Sequence, residues 1–72
     1  MVETPLLLFG ENIKKVREKK GLSQEELANI AGFDRTYISL IERGKRNLSL
    51  MNICRFAKAL ELKPFELIKN IQ

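Results

Sequence analysis

Histidine is absent from this chain, cysteine and tyrosine each occur once, and proline appears only twice in 72 residues. Without histidine, the commonest general base and metal ligand is missing. Cys54 has no partner for an internal disulfide, which fits a reducing compartment. It sits in an apolar helical stretch and reads as a small core or near-core residue rather than a reactive thiol. The carboxylates form no cluster that a cleft could gather. Nucleophilic, metal-assisted and general-base schemes therefore lack parts, so no catalytic residue, metal or cofactor is expected and the chain reads as a non-enzyme. Strand-period runs of β-branched residues, repeats, low-complexity segments and linkers are missing too. The short apolar run Leu6 to Phe9 has no cations before it and no cleavage-site pattern, and it is too short to span a bilayer. No signal peptide, no membrane contact and a cytoplasmic location are expected.

What is present is one small domain, residues 1–72, with a hydrophobic fraction of 44%. A chain of this size buries a modest share of its surface and gains from oligomerisation. The net charge of +4 suits a polyanionic partner, although solubility alone would also account for it.

Every element reads as helix. The pattern predicts helix 1 from about Pro5 to Lys20, with Thr4 as its cap and Pro5 at the first helical position. Leu6, Phe9, Ile13 and Val16 share one face. Gly10 lies inside this helix and is expected to loosen its first turn; Gly21 ends it. Ser23 and Glu26 form a capping box that opens helix 2, with Leu22 and Leu27 as a hydrophobic staple. Leu27, Ala28 and Ile30 are expected inward. Gly32 and Phe33 make a turn, Asp34 is expected to cap helix 3, and Gly44 ends it. Ser49 caps helix 4, whose expected inward residues are Leu50, Ile53, Ala57 and Leu60. Pro64 opens helix 5, expected over about 64–71.

The stretch QEELANIAGFDRTYISLIERG, Gln24 to Gly44, thus reads as helix, small-residue turn, helix. At 100° per residue, Ile38 and Ile41 of helix 3 share a face with Asp34 and Tyr37 and must turn to the core. Thr36, Ser39, Leu40 and Arg43 point the other way, with Arg35 on the flank. Such a helix fits the DNA major groove. There Arg35 can reach guanine with its fork, Thr36 and Ser39 can hydrogen-bond base edges, and Leu40 suits a thymine methyl. A solvated face with one stray leucine is the plain alternative. Beyond Gly44, Lys45, Arg46 and Asn47 lie where a phosphate backbone would pass, and Gln24 can meet a phosphate at the start of helix 2. Arg43 is grouped with these backbone contacts. Lys45 and Arg46 could instead only compensate the helix C-terminus. The run Lys14, Lys15, Arg17, Lys19, Lys20 reads as a solvated face interleaved with Glu11 and Glu18.

These residues resemble the helix-turn-helix of phage Cro and repressor proteins, the Xre-type regulators. The likeness runs from FGENIKKVREKKGLSQEELA through IERGKRNLSL to the last helix, about Phe9 to Ile71. It implies an all-α, five-helix, lambda-repressor-like DNA-binding domain. It also implies a homodimer on a two-fold symmetric double-stranded operator, read by Arg35, Thr36, Ser39 and Leu40. An arginine of helix 1 and the glutamate ending the recognition helix pair in such proteins; the matching residues are Arg17 and Glu42. Within the family, DRTYIS-x-IERG-x-RN-L is similar to the controller proteins of restriction–modification systems, which regulate their own gene and the endonuclease gene. That likeness places Arg35, Thr36, Tyr37, Arg46 and Asn47 at the DNA. Tyr37 faces the protein on the helical wheel, yet its hydroxyl can still reach a phosphate or the minor-groove edge.

Helix 5 and its approach carry a surplus of apolar residues, Leu62, Phe65, Leu67, Ile68 and Ile71, expected to form the dimer surface; simple closure of the monomer core is the alternative. A phage-type or general Xre repressor, or the antitoxin of a toxin–antitoxin pair, remains open as the function. Operator position would decide between blocking RNA polymerase and recruiting it as a further partner.

Overall fold

The computed structural model describes residues 4–71. These form α1 (Thr4–Lys19), α2 (Gln24–Ala31), α3 (Arg35–Glu42), α4 (Leu50–Ala59) and α5 (Pro64–Ile68), with no strand among them. Thr4 lies inside α1 rather than capping it, so the residue at the cap falls outside the described residues.

Local signals account for most helix starts. The Ser23 hydroxyl accepts from the Glu26 N–H at 3.0 Å, and the Glu26 carboxylate accepts from the Ser23 N–H at 2.8 Å. That backbone donor, with the Ser23 side chain, holds the Glu26 carboxyl below the usual glutamate range. Ser49 caps α4 in the same manner, accepting from the Asn52 N–H at 3.1 Å. Asp34 departs from expectation. It occupies the N-cap position of α3 with an extended backbone, but its side chain makes no capping hydrogen bond. Its carbonyl oxygen starts the helix by accepting from Tyr37 and Ile38.

The core joins Phe9 and Ile13 of α1, Leu27, Ala28 and Ala31 of α2, Ile38 and Ile41 of α3, Phe56 and Ala57 of α4, then Leu60 and Leu67. Phe56 is its centre: Phe9 meets its ring edge-on at 6.4 Å and Phe33 lies at 4.9 Å. Two residues expected inward are not. Ile30 is 56% exposed and Leu50 is 72% exposed. Ile30 lies about 100° round α2 from its buried neighbour Ala31, off the stripe of Leu27, Ala28 and Ala31; Leu50 is the first residue of α4, ahead of the stripe that Ile53, Phe56, Ala57 and Leu60 form.

Gly10 does the reverse of loosening α1. It is buried, and a Cβ there would lie 2.3 Å from the Ile41 carbonyl oxygen and 2.7 Å from that of Glu42. The missing side chain lets α1 press directly on the backbone of α3. Gly44, at φ +70°, ends α3 and leaves no room for a Cβ against the Leu7 backbone, 2.8 Å away. The far end of α3 is thus held between two glycines and α1.

Three helices meet at one carboxylate. Glu42 accepts from Arg17 Nε at 2.6 Å, from Arg17 Nη2 at 3.1 Å and from Gln24 Nε2 at 3.1 Å. Arg17 Nη1 also donates to the Leu22 carbonyl at 2.8 Å. The side chains of Arg17 and Glu42 are only 10% and 3% exposed. The Glu42 hydrogen bond raises the arginine's pKa further, against the opposing effect of burial.

Helix α5 is shorter than expected. It stops at Ile68, and Asn70 adopts a positive φ of 66°. Asn12 of α1 explains the stop: its amide donates to the carbonyls of Leu67 at 2.8 Å and Lys69 at 3.3 Å, satisfying the helix end from outside.

Gly10→Ala would gain about 1 kcal/mol in an exposed helix. Here it is expected to destabilise the fold by about 1–3 kcal/mol, read from the urea midpoint, because the methyl must displace backbone. Arg17→Ala, which strands the Glu42 charge, is expected to cost about 3–5 kcal/mol. The double variant Arg17→Met/Glu42→Leu should recover most of that loss in the same denaturation experiment.

Candidate nucleic-acid interface

The turn between α2 and α3 sets the angle at which α3 is presented. Gly32 takes the left-handed conformation, φ 77° and ψ 32°, and Phe33 N–H reaches back to the Ala28 carbonyl at 2.8 Å. Arg55 of α4 holds this turn from outside. Its Nη2 donates to the carbonyls of Ala31 at 3.1 Å and Gly32 at 2.7 Å, and its guanidinium lies 4.1 Å from the Phe33 ring centroid. The sequence gives no local signal for Arg55, which acts across 23 positions on Gly32.

Arg35 and Thr36 are exposed in the first turn of α3, while Ser39 and Leu40, one turn on, are half-buried. Arg43, Lys45, Arg46 and Asn47 follow, all exposed. Arg43 folds back, its Nε donating to the Ser39 carbonyl at 3.3 Å. These residues form a continuous strip along α3 and the loop behind it. Among the described residues only Arg17 forms ion pairs, with Glu42 and Glu18, so no contact acid neutralises the cations of the strip.

Gln24 and Tyr37 are less free than the rest. Gln24 is half-buried, with its amide nitrogen on Glu42; its amide oxygen makes no hydrogen bond among the described residues. Tyr37 packs its ring against Phe33 at 4.8 Å and stacks on Phe56 at 6.3 Å. Its hydroxyl accepts from Asn52 Nδ2 at 3.0 Å, and the Arg46 guanidinium lies 5.4 Å over its ring. The tyrosine is therefore both a core residue, as the wheel requires, and the seat of a surface arginine.

The surplus apolar residues separate into two groups. Phe65 is 63% exposed and Ile68 45% exposed, while Leu62 and Ile71 are partly buried against the core. Leu67 is fully buried in its own chain. It closes the monomer core and cannot serve a partner surface, because it lies on the face of α5 that meets α1 and α4.

No helix among the described residues is long and apolar enough to cross a membrane. No group of three or more metal-ligating side chains occurs among them.

Several known proteins share this arrangement. The control protein C.BamHI of Bacillus amyloliquefaciens is 49% identical over 63 residues, covering 86% of this chain and 78% of that protein. The crystal structure of the restriction–modification controller protein C.AhdI from Aeromonas hydrophila superposes with a TM-score of 0.88 at 48% identity, over 90% of this chain and 98% of that one. The controller protein C.Esp1396I, solved as a tetramer in complex with its natural 35 base-pair operator, gives a TM-score of 0.85 at 44% identity, over 96% of both chains. The helix-turn-helix family profile matches residues 13–67, and with α2, the Gly32 turn and α3 in place the chain belongs to the helix-turn-helix family.

Proposed function

We propose that this chain is a sequence-specific DNA-binding transcriptional regulator of the restriction–modification controller type, binding a two-fold symmetric operator as a homodimer. The exposed first turn of α3 carries this reading. Arg35 and Thr36 are exposed there, with no ion pair to either among the described residues, and Lys45, Arg46 and Asn47 follow in the loop behind. Fork-shaped and hydroxyl donors on a protruding helix match base edges in a major groove. Cations in the following loop match phosphates. The likeness to operator-binding controllers supports the same reading.

In this reading Arg35, Thr36, Ser39 and Leu40 choose the sequence. Lys45, Arg46, Asn47, Arg43 and Tyr37 hold the backbone, joined by Gln24, whose amide nitrogen gives one N–H to Glu42 and has a second to offer. The amide oxygen cannot donate to a phosphate, so Gln24 contributes through its second N–H. Phe65 and Ile68, flanked by Leu62 and Ile71, form the dimer surface. A two-fold pair would set recognition helices about 34 Å apart, one duplex turn. The regulator works in the cytoplasm, where an operator upstream of a promoter would bring it to RNA polymerase.

Arg35→Ala is expected to cost about 1–3 kcal/mol at one base position and relax specificity there. Arg46→Ala should weaken all sequences alike and lower the salt slope by about one. Competition binding across single-base operator variants separates the two; a uniform loss for Arg35→Ala would end its base-reading role. Phe65→Ser, at an exposed position, should leave the fold intact and weaken dimerisation by about 2 kcal/mol or more. Sedimentation equilibrium reads that change, and an unchanged dimer constant would move the interface elsewhere.

A further inference from the structure

Asn52 lies outside the recognition helix and outside the loop that follows it, yet its amide is committed to Tyr37. A phenol oxygen is planar: its hydrogen lies to one side in the ring plane and an accepting lone pair to the other. Asn52 Nδ2 donates from 3.0 Å, so it fills the accepting side. The phenolic hydrogen must then turn to the opposite side. The ring cannot swing to change this, being held by Phe33 at 4.8 Å and by Phe56 at 6.3 Å. Asn52 is itself anchored. It is half-buried in the first turn of α4, with its N–H on the Ser49 hydroxyl at 3.1 Å.

We propose that Asn52 is a positioning residue of the DNA interface, fixing the Tyr37 hydroxyl as an outward donor to a backbone phosphate beside Arg46. The proposal rests on the DNA-binding reading above. Arg46 lies over the same ring at 5.4 Å, so a neutral donor and a cation are presented side by side from one aromatic platform. The donor is set before DNA arrives, which spares the cost of orienting it on binding. A neutral hydroxyl releases no counterion, so it adds affinity without adding to the salt slope.

The test uses the full chain and a duplex chosen by the wild-type protein from a random-sequence library, followed by fluorescence anisotropy at several salt concentrations. Failure to select any preferred duplex would overturn the DNA-binding reading itself, before Asn52 is addressed. Given a selected duplex, Tyr37→Phe should lose about tenfold in affinity, the scale of one hydrogen bond to a charged group; Asn52→Leu leaves that hydroxyl in place but free between its two in-plane positions, and should lose about twofold. The double variant should lose no more than Tyr37→Phe alone, and the salt slope should not change. Asn52→Asp suits the start of α4 and guards against a misfolded Asn52→Leu. Its carboxylate only accepts, so it draws the phenolic hydrogen inward and should cost at least tenfold with Tyr37 present. With Tyr37→Phe that added loss should shrink to the effect of its charge. Wild-type affinity in Asn52→Leu, a double variant weaker than Tyr37→Phe by the full Asn52→Leu factor, or a loss in Asn52→Asp that is unaltered by Tyr37→Phe would each overturn the proposal.

Discussion

The Glu42 carboxylate is the point on which the arrangement depends. It ends α3 and receives three hydrogen bonds, two from α1 through Arg17 and one from α2 through Gln24. A buried ion pair is not in itself strong evidence of stability, since its attraction is set against lost hydration. Its value here lies in direction. An apolar contact would let α3 slide or rotate by small amounts, whereas a bidentate fork fixes both position and angle. The side of α3 that carries Arg35 and Thr36 is consequently aimed from its opposite end.

Two further constraints act on the same helix and explain why they need particular residues. Gly10 admits α1 to within contact of the α3 backbone, and Gly44 lets the chain turn against Leu7. The Gly32 turn, clasped by Arg55, fixes where α3 begins. A recognition helix of eight residues would be marginal alone, because so few turns cannot repay helix nucleation. It persists through contacts at both ends and through Ile38 and Ile41, both almost wholly buried.

Features governed by near neighbours were legible in the sequence: the Ser23–Glu26 box, the Gly32 turn, the glycine ends and the outward set of α3. The Arg17–Glu42 pair came from family likeness, because a tie across 25 positions leaves no local trace. Ile30 and Leu50 misled because apolar character alone does not say which side of a short helix meets the core: α2 turns Leu27, Ala28 and Ala31 inward, and the inward stripe of α4 begins only at Ile53. Leu67 misled in the other direction. A five-residue helix offers too few positions to tell its core face from its free face, and only the packing of α1 and α4 separates Leu67 from Phe65. The early stop of α5 depends on Asn12, some 55 positions away, and Arg55 on α2 likewise acts at long range. The candidate DNA strip was readable because surface chemistry follows helix periodicity. The fixing of its members was not, because it is done across the chain from α1, α2 and α4.

The charged residues show how the same chemistry is divided between support and contact. Arg17 spends its guanidinium donors inward, on the Glu42 carboxylate and the Leu22 carbonyl, and adds little to the outer field, whereas exposed Arg55 spends donors on backbone carbonyls and keeps its charge at the surface. Arg35, Lys45 and Arg46 lie along one strip without contact acids, and there a net charge of +4 on a small surface becomes directional. Arg46 stands between the two roles, exposed but resting on the Tyr37 ring. A lysine at that position would keep the charge and lose the planar stack, so charge alone does not define the site. The aromatic cluster of Phe33, Tyr37 and Phe56 joins core to surface. Phe56 anchors it in the interior, and Tyr37 carries that rigidity out to the groups that would meet a phosphate.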